Sequence, residues 1–505
     1  MLQYTGHPLF DVGVAATTAF VEKSDPATLT EADLEKVADY IRDNYTVPPL
    51  TSFLTVSLMN SDFTQPAYKD NIGRKQAYAD RVTRSFGLNV PVSDEICVFT
   101  GLPALGLPLS LKAGKDQLPP GRAYRQHVPL ITGEGIINFS PGGDPGLPVS
   151  GVALLCLQFF PMGCQKSGGR LLAVHSDNPE IILYFARQAL HENLRAISQA
   201  QLQEDSKMPE ALHSAQTLLI KTILDVESQR RDARQDSQPY SVTAYHLSNS
   251  GQSSPLDHRS PPLQIYHLPL EIIDFLGSLV GADYRNIWNK LAQRGWEVPR
   301  TSQKPGSPEG QNQQSKPRRN YLYEDLFRLP EQTRPFVRAY LLRLPERSSS
   351  QEHPRRDYHF RDEIALISWQ LTELLLRKVI RMDKQRIDEI RDLGDRLATY
   401  VKEQDDKRFF YDFFRVQRAD YFRTLLLRAN LRHIKAGNDP LITLDPYLTV
   451  FEEGDEVMRP DWRFARDLVL IRMVESLYTS GWIGKHPDLL PDDTDIGVDI
   501  SEGKQ

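Results

Sequence analysis

The sequence predicts an α+β fold, with a mixed N-terminal α/β region followed by a C-terminal α-helical bundle. Three observations point there. Up to about residue 270, short apolar runs alternate with glycine- and proline-rich turns and with amphipathic stretches of helical period. Beyond Phe360, "EIALISWQLTELLLRKVIRMDKQRIDEIRDLGDRLATYV" is free of proline and sets Leu371, Leu375 and Val379 at helical spacing. Between the two, "TSQKPGSPEGQNQQSKPRRN" is too polar to bury the apolar area that would offset its ordering entropy. The expected organisation is a domain at 1–270, a connecting region at 271–359 with a mobile loop at 301–320, and the bundle at 360–505.

The first strong element is "LTEADLEKVADYIRDNY". Thr30 stands three residues before Asp33 as a variant capping box, and Leu34, Val37, Ala38, Ile41 and Tyr45 share one face. "VPPL" ends it, because the residue before a proline is pushed out of the helical region. From Val128 to Gly169 the chain is rich in glycine and proline around apolar runs such as "GVALLCLQFFP". Arg170 to Val174 then reads as a buried strand. Asn178 caps the following helix, with Pro179 at its first position and Ile182, Phe185, Ala186, Ala189 and Leu190 along one face. The segment from Glu227 to Pro262 turns polar again. In the bundle, "RFFYDFFRVQRADYFRTLLLRANLRHIKAG" reads as one helix or a pair, ended by Gly437. No repeat of twenty to fifty residues is visible.

Composition narrows the class. A chain of 505 residues, 40% of them hydrophobic, can bury at least one large core. No run of eighteen apolar residues occurs, and "MLQYTGHPLFDVG" lacks the basic-then-apolar build of a signal peptide, so a soluble cytoplasmic protein without a membrane partner is expected. Three cysteines, Cys97, Cys156 and Cys164, are too few for a disulfide framework. The formal charge of -6 conceals an acidic last segment, "PDDTDIGVDISEGKQ", and several inner stretches rich in arginine. Net charge therefore does not exclude nucleic acid.

Catalytic signatures are sparse. None of the twelve histidines is followed by aspartate, and "HENLR" places Arg195 where a zinc-protease helix needs its second histidine. "LSLKAGK" has Leu109 where a P-loop needs its first glycine, and "GEGIINF" is a two-glycine turn. His175 and Asp177, at the end of a strand, are the one pair that a hydrolase or nuclease could use. Their plainer role is an Asx-type turn leading into a helix cap.

Nucleic-acid contacts have more candidates. "NSDFTQPAYKDNIGRKQAYADRVTRSFG" interleaves Asn60, Thr64, Gln65, Lys69, Asn71, Arg74 and Lys75 with Phe63, Tyr68 and Tyr78. That mixture offers amide readers, phosphate partners and rings on which bases stack. A solvated loop before a surface helix has the same composition. "GRAYRQHVPL" adds Arg122 and Arg125, and "INFSPGG" adds Asn138. Arg428, Arg432 and Lys435 follow i, i+4, i+7 spacing and share one helical face, with Arg415, Arg418 and Arg423 nearby.

In order along the chain, "YTGHPLFDVGVAA", "LTEADLEKVADYI", "NSDFTQPAYK", "PGLPVSGVALLCLQFFPMGC", "GGRLLAVHSDNPE" and "AYHLSNSGQSSPLD…IYHLPL" resemble the large subunit of type I-B CRISPR Cascade complexes. The resemblance covers roughly residues 4 to 270, and beyond Leu270 it rests on helical character and position alone. It implies a subunit that is not an enzyme, that sits at the 5′ handle of a guide RNA and reads the short protospacer-adjacent motif in double-stranded target DNA. It also implies help in opening the duplex and stabilising the R-loop, a division of labour in which base pairing reads the remaining sequence. The implied partners are Cascade backbone and handle-binding subunits and either a helicase-nuclease, in antiviral defence, or transposition proteins, in RNA-guided transposition. A small subunit translated from an internal start near Met382 is a further implied partner.

Typical members of that family carry two Cys-x-x-Cys pairs. The matched positions here are Cys97, Thr100, Ser150 and Ala153, so three of four thiolates are missing and tetrahedral zinc cannot form from them. Neither a metal nor another cofactor is expected, and Cys156 and Cys164 are expected to fill core space. The rival expectations are the hydrolase using His175 and Asp177, and a scaffold subunit without DNA contact.

Overall fold

The computed structural model describes residues 2–87, 89–111, 118–131, 145–233, 239–249, 261–297, 316–344, 360–453 and 457–489. It is an α+β protein dominated by helix, with its small antiparallel sheets mostly in the N-terminal half. Two units separate: residues 1–219 with 238–270, and residues 220–237 with 271–505. Of the segment expected as a connection, the described residues 271–297 and 316–344 fall in the second unit. Residues 301–315 of the expected loop lie outside the described residues.

The N-terminal unit is organised by a four-stranded antiparallel sheet, Gln165–Ser167, Arg170–Ser176, Val242–Leu247 and Leu263–Leu268, in that order. Ala173 faces Tyr245 and Ala244 faces Tyr266 across the ladders. The strand Arg170–Ser176 is buried almost throughout, because the helices Pro8–Phe20 and Pro179–Leu202 pack over it and over each other. Two helices start as the sequence predicts: at the head of Pro179–Leu202 Asn178 accepts the Glu180 amide at 3.0 Å, and Thr30 and Asp33 form a reciprocal capping box at the head of Glu31–Asn44. "GVALLCLQF" is a buried helix, Gly151–Phe159, wedged so closely that a Cβ on Gly13 would lie 2.2 Å from the Cys156 carbonyl oxygen. The apolar run is thus a helix buried at every position but Val152, which hydrophobicity without alternation cannot distinguish from a buried strand.

In the C-terminal unit the proline-free stretch is two helices, Trp369–Lys378 and Lys384–Gln404. The break falls at Asp383, whose carboxylate caps the second helix by accepting the Arg386 amide at 3.1 Å. "RFFYDFFR…" is a pair, Lys407–Arg415 and Ala419–Lys435, and Gly437 follows at φ +85°. The core of this unit holds a charged cluster as well as aromatic rings. Asp467, fully buried, accepts Arg334 at 3.1 Å and Arg338 at 3.1 Å and is joined by buried Arg466. Three guanidinium groups hold its carboxyl low against the opposing effect of burial. No described helix is long and apolar enough to cross a membrane.

Candidate nucleic-acid interface

The segment from Met59 to Asn71 is a chain of tight turns on an apolar anchor. Phe63 is fully buried and meets Tyr45 and Tyr78 edge-on, with ring centroids 5.6 and 5.0 Å away. Phe63 and Tyr78, expected from sequence as stacking platforms, are therefore core rings. Burying Phe63 contributes on the order of 2 kcal/mol and fixes the loop from beneath. Thr64 is also spent internally, its hydroxyl donating to the Leu58 carbonyl at 2.9 Å.

Several other candidates are likewise engaged inside the unit. Arg74 donates to Asp62 at 2.9 Å and lies 3.9 Å over the Tyr68 ring, which covers the one ring of the loop that is partly exposed. Lys75 is buried and donates to the carbonyls of Thr46 (3.3 Å) and Lys69 (2.9 Å), and burial lowers its pKa. Asn71 caps the helix Ile72–Thr83 by accepting the Arg74 amide at 3.0 Å. Arg122 is buried, paired with Glu95 and bonded to the Gly146 carbonyl. Each is a polar or charged side chain engaged inside the unit; sequence pattern alone does not reveal such partners.

What the loop offers outward is Asn60, Gln65 and Lys69. None of these three side chains has a partner among the described residues, and Asn60 and Lys69 are exposed. Asn60 sits in the left-handed region at φ 67°, a conformation that asparagine tolerates better than other residues with a Cβ. Arg125 is brought to the root of this loop through Asn249, whose carbonyl accepts the Arg125 guanidinium at 3.2 Å. Asn138 lies outside the described residues.

In the C-terminal unit, Arg428, Arg432 and Lys435 do share one face of Ala419–Lys435. Arg432 is paired with Asp406, while Arg428 and Lys435 are exposed with no side-chain partner among the described residues. The nearby charges are also answered: Arg423 pairs with Glu452 at 2.6 Å, Arg418 with Asp420 at 2.6 Å, and Arg415 lies over the Tyr411 ring. Leu427, Leu431 and Ile434 stand exposed beside the basic row, so the face is narrower in charge and more apolar than its arginine count suggests.

His175 and Asp177 bond to different partners. His175 Nε2 meets Asp11 Oδ2 at 3.0 Å, and that buried carboxylate also accepts the amides of Thr5 (2.8 Å) and Gly6 (2.9 Å). Asp177 instead accepts the Ser241 amide at 2.8 Å. His175 thus ties "YTGHPLFD" to the end of the strand Arg170–Ser176, Asp177 holds Ser241 just before the strand Val242–Leu247, and Asp11 is the partner that sequence reading missed.

The four knuckle positions supply one thiol, two hydroxyls and a methyl group. The Thr100 and Ser150 hydroxyls bond to each other at 3.1 Å, and Ser150 caps Gly151–Phe159 by accepting the Ala153 amide. That donor set does not fit a thiolate zinc centre. Among the described residues no group of three or more His, Cys, Asp or Glu could hold a metal ion. All three cysteines are buried, and burial raises the Cys156 thiol to about 12. No family model, no curated protein and no solved structure matches the chain.

Proposed function

We propose that this chain is a non-catalytic large subunit of a type I-B-like CRISPR Cascade complex. In this reading it works in the cytoplasm, binds the 5′ handle of the guide RNA, recognises the motif flanking the target in duplex DNA and stabilises the R-loop. Its partners are the backbone and handle-binding subunits, a small subunit begun near Met382, and a helicase-nuclease or transposition proteins. Two things support the reading: the ordered motifs over residues 4 to 270, and the build of the Met59–Asn71 loop.

The loop carries the proposal. Asn60 and Gln65 present carboxamides, which can pair two-pronged with an adenine edge in the major groove, and Lys69 and Arg125 are suited to flanking phosphates. A short motif read by one or two side chains needs those side chains uncommitted and their backbone held firm. Among the described residues the side chains of Asn60, Gln65 and Lys69 have no partner, while Phe63 is buried beneath them. Arg428 and Lys435 offer separate phosphate contacts, each steepening the salt dependence of binding by about 0.9 log units on duplex DNA.

The deciding experiment assembles the complex with guide RNA and measures binding to targets with randomised flanks. Asn60, Gln65, Lys69 and Arg125 are then changed together to alanine. Loss of flanking-sequence preference is expected. Preference that survives shows other residues read the motif, and binding independent of this chain makes it a scaffold. Turnover of labelled DNA or RNA abolished by His175→Ala points to the hydrolase.

A further inference from the structure

Asn249 follows the strand Val242–Leu247 by two residues and is buried, at 7% exposure. Its groups reach two segments far away in sequence. Its amide donates to the Val56 carbonyl at 2.6 Å, and its carboxamide nitrogen donates to the carbonyls of Ser57 at 3.1 Å and Arg125 at 3.0 Å. Its own carbonyl accepts the Arg125 guanidinium at 3.2 Å. One residue thus joins the end of a sheet strand, the root of the Met59–Asn71 loop and the backbone and side chain of Arg125.

The chemistry of this junction selects asparagine. Two carbonyl oxygens must be answered by two protons from one planar group, which a carboxamide supplies and a carboxylate or hydroxyl does not. Leaving the buried Ser57 carbonyl or the partly buried Arg125 carbonyl unanswered carries a desolvation cost, so the junction holds its geometry. The next turns inherit that geometry. The Leu58 carbonyl accepts the Thr64 hydroxyl at 2.9 Å, and the Ser61 carbonyl accepts the amides of Thr64 and Gln65 at 3.0 and 2.9 Å. Asn60 and Gln65 are therefore set, through three short turns, from a point that Asn249 fixes relative to Arg125.

We infer that Asn249 is the positioning residue of the interface, fixing the spacing between the base-reading amides of Asn60 and Gln65 and the phosphate-binding guanidinium of Arg125. This rests on the function proposed above. A misplacement of the loop by a fraction of an ångström spoils a two-pronged base contact while leaving a phosphate contact nearly intact, because the latter is long-ranged and tolerant of angle. Asn249 thus governs sequence discrimination more than affinity.

Two variants test this, Asn249→Ala, which removes both donors, and Asn249→Ser, which keeps one; the milder one serves if the other fails to fold. In the full chain, without nucleic acid, amide exchange at Ser61, Thr64 and Gln65 is expected to accelerate by about tenfold, while the helix Glu31–Asn44 is unchanged. Unchanged exchange at those three amides overturns the inference. In the assembled complex, the ratio of binding to preferred and scrambled flanks is expected to fall about tenfold, with the salt slope of binding retained and Asn249→Ser intermediate. If discrimination falls in the Asn60, Gln65, Lys69 and Arg125 quadruple variant but not in the Asn249 variants, the positioning role alone is wrong. If neither changes it, the functional reading fails and the role fails with it.

Discussion

The hydroxyls of Thr100 and Ser150 lie 3.1 Å apart, bridging positions fifty residues apart in the chain. Around them lies a tight turn: the Cys97 amide donates to the Leu102 carbonyl at 2.8 Å, and Gly101, at φ +69°, donates to the Cys97 carbonyl at 3.0 Å. Ser150 then caps the buried helix whose third residue is Ala153. The hydrogen bond holds together the same two chain segments that a metal would hold, at a contribution of about 1 kcal/mol rather than about 10. Changing Thr100, Ser150 and Ala153 together to cysteine is therefore expected to create a site that takes up about one zinc per chain. Elemental analysis of variant and parent, side by side, reads the difference; equal zinc in both contradicts this account of the turn.

Gly151 opens that helix with no room for a side chain. A Cβ there would stand 1.4 Å from the Ser85 carbonyl oxygen, a backbone atom that cannot swing aside. Gly151→Ala is expected to lower stability by about 3 kcal/mol or more, read as a fall in the denaturant midpoint.

The fully buried imidazole of His127 gives stability a pH dependence. Burial pushes its pKa down to about 3, against the smaller opposing effect of a hydrogen bond with the Leu109 backbone. The unfolded chain binds a proton near pH 6.5 and the folded chain does not, so stability is complete above that value and declines as pH falls from 6.5 toward 3. The denaturant midpoint at pH 5 is expected to lie below that at pH 7.5. His127→Asn, whose side-chain oxygen can replace Nδ1 as acceptor of the Tyr124 amide, should narrow that gap even if it lowers both values.

Arg334, Arg338 and Arg466 share the carboxylate of Asp467 in the C-terminal core. Asp467→Asn leaves three guanidinium groups facing a neutral amide. A loss of about 3 to 5 kcal/mol is expected, confined in thermal scans to the transition of the C-terminal unit. A variant as stable as the parent shows that solvent answers those charges.

Phe63 and Lys69 separate the frame of the loop from its exposed tip. Phe63→Ala is expected to cost about 3 to 5 kcal/mol, whereas Lys69→Ala should leave the denaturant midpoint within about 0.5 kcal/mol of the parent. If both lower stability alike, the lysine has a structural duty that its lack of partners does not suggest.

Local signals in the sequence carried the fold well wherever they were self-contained. Thr30 with Asp33, Asn178 with Pro179, and the Gly437 stop each act within one turn, and each stands where the residues place it. The helical character of residues 360 onward was equally legible, but the break at Asp383 depends on a cap inside a run whose composition is uniformly helical. The candidate interface was legible only as composition. Arg74, Lys75, Arg122 and Arg432 find Asp62, Thr46, Glu95 and Asp406 between 12 and 29 positions away. Partners at that distance leave no periodicity to read. Asn249 was in view inside "AYHLSNSGQSS", yet nothing local distinguishes a residue that ties down a distant loop from one that merely ends a strand.

The left-handed backbone at Asn60 has an evolutionary consequence. A φ of 67° restricts that position to asparagine, aspartate or glycine at little cost, whereas Gln65 and Lys69 occupy ordinary backbone. Under the proposed function, new flanking letters are reached by drift at 65 with the scaffold untouched, while 69 is free to vary in its phosphate contact. Position 60 forms the conservative part of the alphabet, one whose vocabulary is set by conformation before it is set by chemistry.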